Sequence, residues 1–328
     1  MFMLLPLLAC AGGSAKDAAH PDDTATDSGS QHSGGDTDAA DTGADTGGSG
    51  SSGCGRDEGL PAGGVQRALD AGAEGGGERG YWLSLPAVYD PWHPHPVVLG
   101  FPGTDWVGEQ IQPYLGLEDE LDEAMIFVYP DPLWRKFEGW GTYGGWQLGP
   151  YAAPADGTED LVFVGLLLDT LATELCVDPD QIYVTGHSWG GDMAAVTACF
   201  LGDRVRAAAP AAANEPYWFD DPRLSCAGAP AVWTWFGEAD DHFTWQDHPG
   251  EFGELQDAFW ASERGCTAAE PLEVEGGGEC VVHRGCASDV RYCLYPPATR
   301  HQIPPVFAPE TMAWFVAQGA EARGGSAK

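Results

Sequence analysis

The six residues Gly186-His187-Ser188-Trp189-Gly190-Gly191 constrain this chain more than any others. They lie between Gln181 to Thr185, a short β-branched and aromatic run, and Met193 to Leu201, which is rich in Ala, Met, Phe and Leu. The stretch therefore reads as a buried strand, a sharp turn and a helix. A turn this tight needs small residues two before and two after the central serine, because a Cβ at either place would collide across it. Gly186 and Gly190 meet that need. Such a turn would lift Ser188 Oγ above the sheet and aim the Trp189 N–H, at the helix start, at the same point, where it could hold an oxyanion. The pattern points to acyl transfer. A bare GxSxG in a glycine-rich chain could instead leave Ser188 as a plain helix cap, so the partners decide.

A serine hydroxyl is a weak nucleophile until a histidine takes its proton, and a carboxylate must fix that histidine's tautomer. With a serine on such an elbow the chain order is serine, acid, histidine. Of the histidines after Ser188, His242 is too near the expected acid and His283 lies among cysteines. His301, in TRHQIPP shortly before the last helical stretch, is the expected base. For the acid, the apolar run WTWF leads into GEADDH, so Asp240 or Asp241 follows a strand end. Spacing does not choose between them.

The rest of the chain agrees with a layered α/β architecture. Strands are expected at 81–86, 94–101, 124–130, 205–213 and 229–236, and helices at 160–176, 251–263 and 309–318. In the first helix Leu161, Val164, Leu168, Leu171 and Leu175 share a face, with Asp156 or Thr158 as its cap. Apolar strands alternating with amphipathic helices imply a mostly parallel sheet covered on both faces, with the ligand site at the carboxyl ends of the strands.

Ahead of this folded part the composition changes. Residues 11–53 are almost wholly Ala, Gly, Ser, Thr and Asp and cannot bury enough apolar area to offset their ordering entropy, so they read as an acidic tether. The start, MFMLLPLLAC, is too short to span a bilayer and resembles the end of a lipoprotein signal, with LLAC as lipobox and Cys10 as the lipidated residue; no Lys or Arg precedes it. Export is expected on either this or an ordinary secretory reading. Three segments follow: a signal at 1–10, a linker at 11–53 and a catalytic domain at 54–328. The remaining cysteines, Cys54, Cys176, Cys199, Cys226, Cys266, Cys280, Cys286 and Cys293, form an even set that suits disulfides in an oxidising compartment. The last four fall in a glycine-rich segment that reads as a stapled loop. No pair there has the short spacing of a zinc site, despite His283, and the tail lacks the ordered loop of a calcium cage, so no metal is expected. The net charge of −35 argues against nucleic acid and against anionic lipid surfaces, and leaves a lipid anchor as the one route to a membrane.

Several stretches in order, YWLSLPAVYD, PVVLGFPGTD, IFVYPD, DPDQIYVTGHSWGGDMA, FGEADDHF and GCASDVRYCLY with RHQIPP, resemble the exported α/β-hydrolase esterases that group polyhydroxybutyrate depolymerase-like proteins with feruloyl and acetyl xylan esterases, a carbohydrate esterase family 1-like set. The resemblance runs from Cys54 nearly to the end. It implies Asp240 as the acid, since the family places a glycine three residues before the aspartate and an apolar residue three after it, here Gly237 and Phe243. The family's His-Pro base motif is similar to His301 to Pro304. Its first oxyanion loop commonly reads His-Gly, where this chain has Pro102 and Gly103; the backbone donor survives, so the Thr104 N–H is expected to act with the Trp189 N–H.

The implied reaction is carboxylic-ester hydrolysis through an acyl-serine, with no cofactor, by a monomer. The implied substrates are feruloyl or acetyl esters on polysaccharides, with polyhydroxybutyrate-type polyesters as the alternative and a non-catalytic tethered carbohydrate binder as a second. Trp106, Trp134, Trp140, Trp146 and Trp189 lie on or near loops that should reach the site, and Trp106 and Trp146 are the candidates for substrate contact.

Overall fold

The computed structural model describes residues 50–56, 59–120, 124–137, 141–148, 158–214, 216, 226–242, 250–296 and 300–325, with side chains to 321. Cys10, Trp140, Asp156 and Phe243 lie outside the described residues.

Six strands run parallel through the middle of one ten-stranded sheet. In spatial order they are β4 (Ile126–Pro130), β3 (His95–Phe101), β7 (Val177–His187), β8 (Ala207–Ala211), β9 (Ala231–Gly237) and β12 (Val290–Tyr295). Antiparallel strands extend both sides: β2 (Glu78–Leu85) and β1 (Gly63–Asp70) beside β4, and β11 (Glu279–Arg284) and β10 (Ala268–Pro271) beside β12. A hairpin of β5 (Leu133–Phe137) and β6 (Gly141–Gly145) stands apart from this sheet.

Successive strand residues point to opposite faces, and each face is apolar in the central strands. Val97, Leu99, Phe101, Ile182 and Val184 enter a core with Leu161, Val164, Leu168 and Leu171 of α2 (Glu159–Glu174), with the Ala-rich side of α3 (Trp189–Phe200), and with Trp260 of α4 (Glu251–Glu263). Val98, Tyr183, Trp233 and Trp235 turn the other way, onto Ile111 and Leu115 of α1 (Gly108–Leu115) and onto Met312 and Phe315 of α5 (Phe307–Gly325). Thus α2, α3 and α4 cover one face, and α1 and α5 the other. The face expected for α2 is buried at all five positions, and Thr158 holds its N-cap position.

The cysteines pair as Cys54–Cys176, Cys199–Cys226, Cys266–Cys286 and Cys280–Cys293. Instead of a stapled loop, the cysteine-rich segment is a three-stranded extension of the sheet, in which Cys280 and Cys293 sit directly opposite each other on β11 and β12. His283 bonds Asp257 of α4 at 2.7 Å. Residues 51 and 53, expected in the linker, are already docked: Ser51 N–H donates to Val177 O at 2.9 Å and Gly53 N–H to Ala172 O at 2.9 Å.

One feature of the interior has no counterpart in the apolar pattern. Arg79 of β2 and Arg135 of β5 are buried against Asp160 and Glu159, the first two residues of α2. Arg79 Nη2 lies 2.6 Å and Arg135 Nη2 3.3 Å from Asp160 Oδ1, and Arg135 Nη1 lies 3.1 Å from Glu159 Oε1. Gln147 completes the cluster, its N–H donating to Asp160 Oδ2 and its Oε1 accepting from Arg135. Burial pushes the Arg79 guanidinium down while Asp160 holds it up. Two cations and two carboxylates balance, and the carboxylates meet the positive end of α2. Breaking such a cluster strands a charge. Asp160→Asn is expected to lower the unfolding free energy by about 3–5 kcal/mol, measured by urea denaturation at neutral pH.

Candidate active site

Strand β7 ends at His187, α3 begins at Trp189, and Ser188 between them has φ 61° and ψ −129°. A non-glycine residue in that region costs on the order of 1–3 kcal/mol and persists only where its surroundings hold it. They do. Ser188 N–H donates to Ala211 O at 3.0 Å, and Asp192 N–H donates to Ser188 O at 3.0 Å. A Cβ on Gly190 would strike the Phe101 carbonyl, and one on Gly186 would strike the Gly190 carbonyl, so both positions require glycine. Asp192 receives the Asn214 N–H at 2.6 Å and so ties the first turn of α3 to the chain after β8.

Beyond β9, Asp240 is buried and accepts from His301 Nδ1 at Oδ2, 2.7 Å away, and from the His242 N–H at Oδ1, 2.9 Å away. A carboxylate only accepts, so the Nδ1 proton lies on this bond and the neutral imidazole keeps Nε2 as its basic atom. Asp241 is half exposed and points to Arg300, 3.7 Å off. Of the two adjacent acids, then, Asp240 is the one that contacts His301. The loop carrying His301 is held by two tyrosines: Tyr295 OH donates to Gln302 O at 2.6 Å, and Ile303 N–H donates to Tyr114 OH at 3.1 Å.

Around His301 the structure adds two further rings. His242 stacks on it at 4.3 Å and 18°, and His187, the residue before Ser188, lies at 4.7 Å and 45°. Tyr114 in turn packs on His187, and Trp106 packs edge-on against Tyr114. The one sequence signal for His187 was its place beside the serine, and His242 was passed over as a base because it lies so near the acid. Burial, and then the neighbouring His301, push His187 down to about 3 from an ordinary 6.5, so it stays neutral.

The turn after β3 abuts the serine. A Cβ on Gly103 would lie 3.2 Å from Ser188 Cβ and 3.8 Å from its Oγ. Thr104 follows, exposed, and its N–H has no acceptor among the described residues. Trp189, as first residue of α3, has no intrahelical acceptor for its own N–H. Asp105 bolts the turn to the hairpin: its N–H donates to Gly144 O at 2.8 Å, and its Oδ1 accepts from Gly144 N–H at 2.9 Å. Trp106 is 39% exposed near this turn. Trp146 corrects the expectation of a substrate contact: it is fully buried, and its indole N–H donates to Pro102 O at 2.8 Å. It braces the turn from behind.

The serine elbow, the sheet order and the helices on both faces define an α/β-hydrolase fold. In structure the chain is similar to an acetyl xylan esterase from Aspergillus awamori, at a TM-score of 0.55 and 13% identity over 77% of this chain and 99% of that one. It is also similar to a variant of SOBER1 from Arabidopsis thaliana, at a TM-score of 0.51 and 14% identity over 68% and 99%. In sequence its relatives are feruloyl esterases. It is 31% identical to feruloyl esterase C of Emericella nidulans over 156 residues, 45% of this chain and 51% of that protein. It is 30% identical to feruloyl esterase D of Neurospora crassa over 175 residues, 48% and 52%. The chain thus spans about half the length of these curated relatives. No protein-family model matches it.

The depressed basicity of His187 has a consequence for stability. Between pH 6.5 and about 3 the unfolded chain binds a proton there that the folded chain does not, so stability is present above 6.5 and is lost as pH falls toward 3. For His187→Asn, the stability difference from the parent should shrink as pH drops from 7 to 4, read from urea unfolding at several pH values.

Proposed function

We propose that this protein is an exported serine esterase acting on feruloyl or acetyl esters of polysaccharides, with Ser188 as nucleophile, His301 as general base and acid, and Asp240 as its orienting carboxylate. The observation that carries this reading is the buried Asp240 on His301 Nδ1 at 2.7 Å, in a chain whose strained Ser188 follows a ring packed on that same imidazole. Support for the substrate class comes from the feruloyl esterase relatives.

The reaction divides into two halves. His301 Nε2 takes the Ser188 proton as Oγ attacks the ester carbonyl, and the oxyanion forms against the Thr104 and Trp189 N–H groups. Collapse expels the alcohol, which receives the proton from His301 and leaves an acyl-Ser188. Water, deprotonated by His301, then attacks the acyl carbon. The second collapse returns the proton to Ser188 and releases the acid. This chemistry needs no metal or organic cofactor.

Export accords with four disulfides. Lipid attachment at Cys10, with residues 11–53 as a tether, rests on the LLAC sequence and composition alone.

Hydrolysis of methyl ferulate, p-nitrophenyl acetate and a hydroxybutyrate oligomer by the full chain tests the reading. Ser188→Ala is expected to lower kcat by at least about 10⁴-fold and Asp240→Asn by about 10⁴-fold, with Asp241→Asn within about twofold of the parent. Turnover confined to the hydroxybutyrate oligomer would move the substrate to polyesters, and no ester turnover above the Ser188→Ala level would overturn the enzyme reading. Trp146→Phe removes the donor to Pro102 and is expected to lower kcat roughly tenfold at unchanged KM, since the misplaced donor matters most in the transition state.

A further inference from the structure

Two indoles are exposed near the turn that carries Thr104. Trp134 is 62% exposed and Trp106 39%. The position of Trp134 follows from strand alternation: Arg135 and Phe137 of β5 point into the protein, so Trp134 and Lys136 point out. Its cross-strand partner is Gly144. With no side chain opposite, the indole lies against the Gly144 backbone beside the Asp105 Cα, so that a Cβ on Gly144 would sit 3.2 Å from the ring and 3.4 Å from that Cα. One ring edge is thereby packed and a broad area remains in water.

The mounting is stiff. Asp105 bonds the hairpin to the turn through two hydrogen bonds, and Arg135, next to Trp134, is anchored in the buried Asp160 and Glu159 cluster. A large exposed aromatic surface held rigid beside a reaction centre loses little entropy on binding, which is the property of a recognition platform. Flat apolar area with a negative π face suits the C–H face of a pyranose or furanose ring. The field of a chain with net charge −35 disfavours polyuronates.

We infer that Trp134, together with Trp106, forms a binding subsite for the uncharged polysaccharide chain that carries the scissile ester, beside the turn that carries Thr104. This deepens the esterase reading and rests on it for the catalytic arm of the test; the binding arm stands without it.

The catalytic arm compares kcat/KM on feruloylated arabinoxylan oligosaccharide with kcat/KM on methyl ferulate for the parent, Trp134→Ala and Trp92→Ala. Trp92 is 72% exposed, precedes β3 at the far end of the sheet and serves as the control indole. The ratio of the two substrates is expected to fall roughly three- to tenfold in Trp134→Ala and to stay at the parental value in Trp92→Ala. The binding arm is affinity electrophoresis of the full-length Ser188→Ala protein in soluble arabinoxylan, with and without Trp134→Ala. Retardation that disappears with Trp134 supports the subsite even where no ester is turned over, in which case only the esterase reading fails. An unchanged substrate ratio, retardation that survives Trp134→Ala, or equal retardation in polygalacturonate would overturn the inference. Thermal melting of each variant separates a lost platform from a merely uncovered Gly144: an unfolded or much destabilised Trp134→Ala would assign the indole to packing and overturn it as well.

Discussion

The site depends on how closely backbones are allowed to meet where β3, β7 and β8 end. The carbonyls of Phe101 and Pro102 press on Gly190, the Gly190 carbonyl presses on Gly186, and the Ala211 carbonyl presses on Gly191 and receives the Ser188 N–H. No side chain fits between them. This absence forces Ser188 into a conformation that it would not choose, and the hydrogen bonds on either side keep it there. Ala208 of β8, which shares a core with the alanines of α3, belongs to the same arrangement, since a larger residue there would push α3 off the sheet.

From that contact the rest can be read as a series of braces. The turn after β3 is fixed by the serine, by the Trp146 indole behind it, and by the bonds of its Asp105 to Gly144 of the hairpin. The hairpin belongs to no large sheet and is held by Arg135 and Gln147 to the two acids that open α2. A charged cluster deep in the protein thus carries mechanical load for backbone donors at its surface. Such clusters are seldom the most stabilising filling for a core, and geometric definition is the use that this one is placed to serve. On the opposite side, Tyr114 and Tyr295 hold the His301 loop against the end of β9.

How far this was legible in the sequence follows from the kind of signal each part emits. Strands buried on both faces, such as Val97 to Phe101, and a helix with a full apolar face, such as Leu161 to Leu175, advertise themselves through composition and period. Chain order narrows the histidines to His301, whereas the strand end leaves Asp240 and Asp241 equal, and it was the family resemblance that pointed to Asp240. Strand β1 alternates half-buried and exposed residues with little apolar bulk, and α1 contains Pro113, so neither stood out. The cysteine-rich segment looked like a loop because its strands are short and set among glycines, and the cross-strand pairing of Cys280 with Cys293 cannot be read from sequence. Trp146 was misread for a simple reason: an indole has both a stacking face and a donor, and sequence does not say which is in use. The ion cluster draws on residues some eighty positions apart, and a lone Arg in a strand gives no hint of a distant buried acid.

The two ends of β7 face opposite poles of the molecule. Ser188 follows its last residue, while Cys176, directly before its first, is tied to Cys54, with Ser51 and Gly53 bonded alongside. Eleven extended residues separate those poles by about 30–35 Å. Ser51, Gly53 and Cys54 therefore dock at the pole away from the serine. A load borne at Cys54 passes through a disulfide into the strand at the middle of the sheet, at its far end from the elbow.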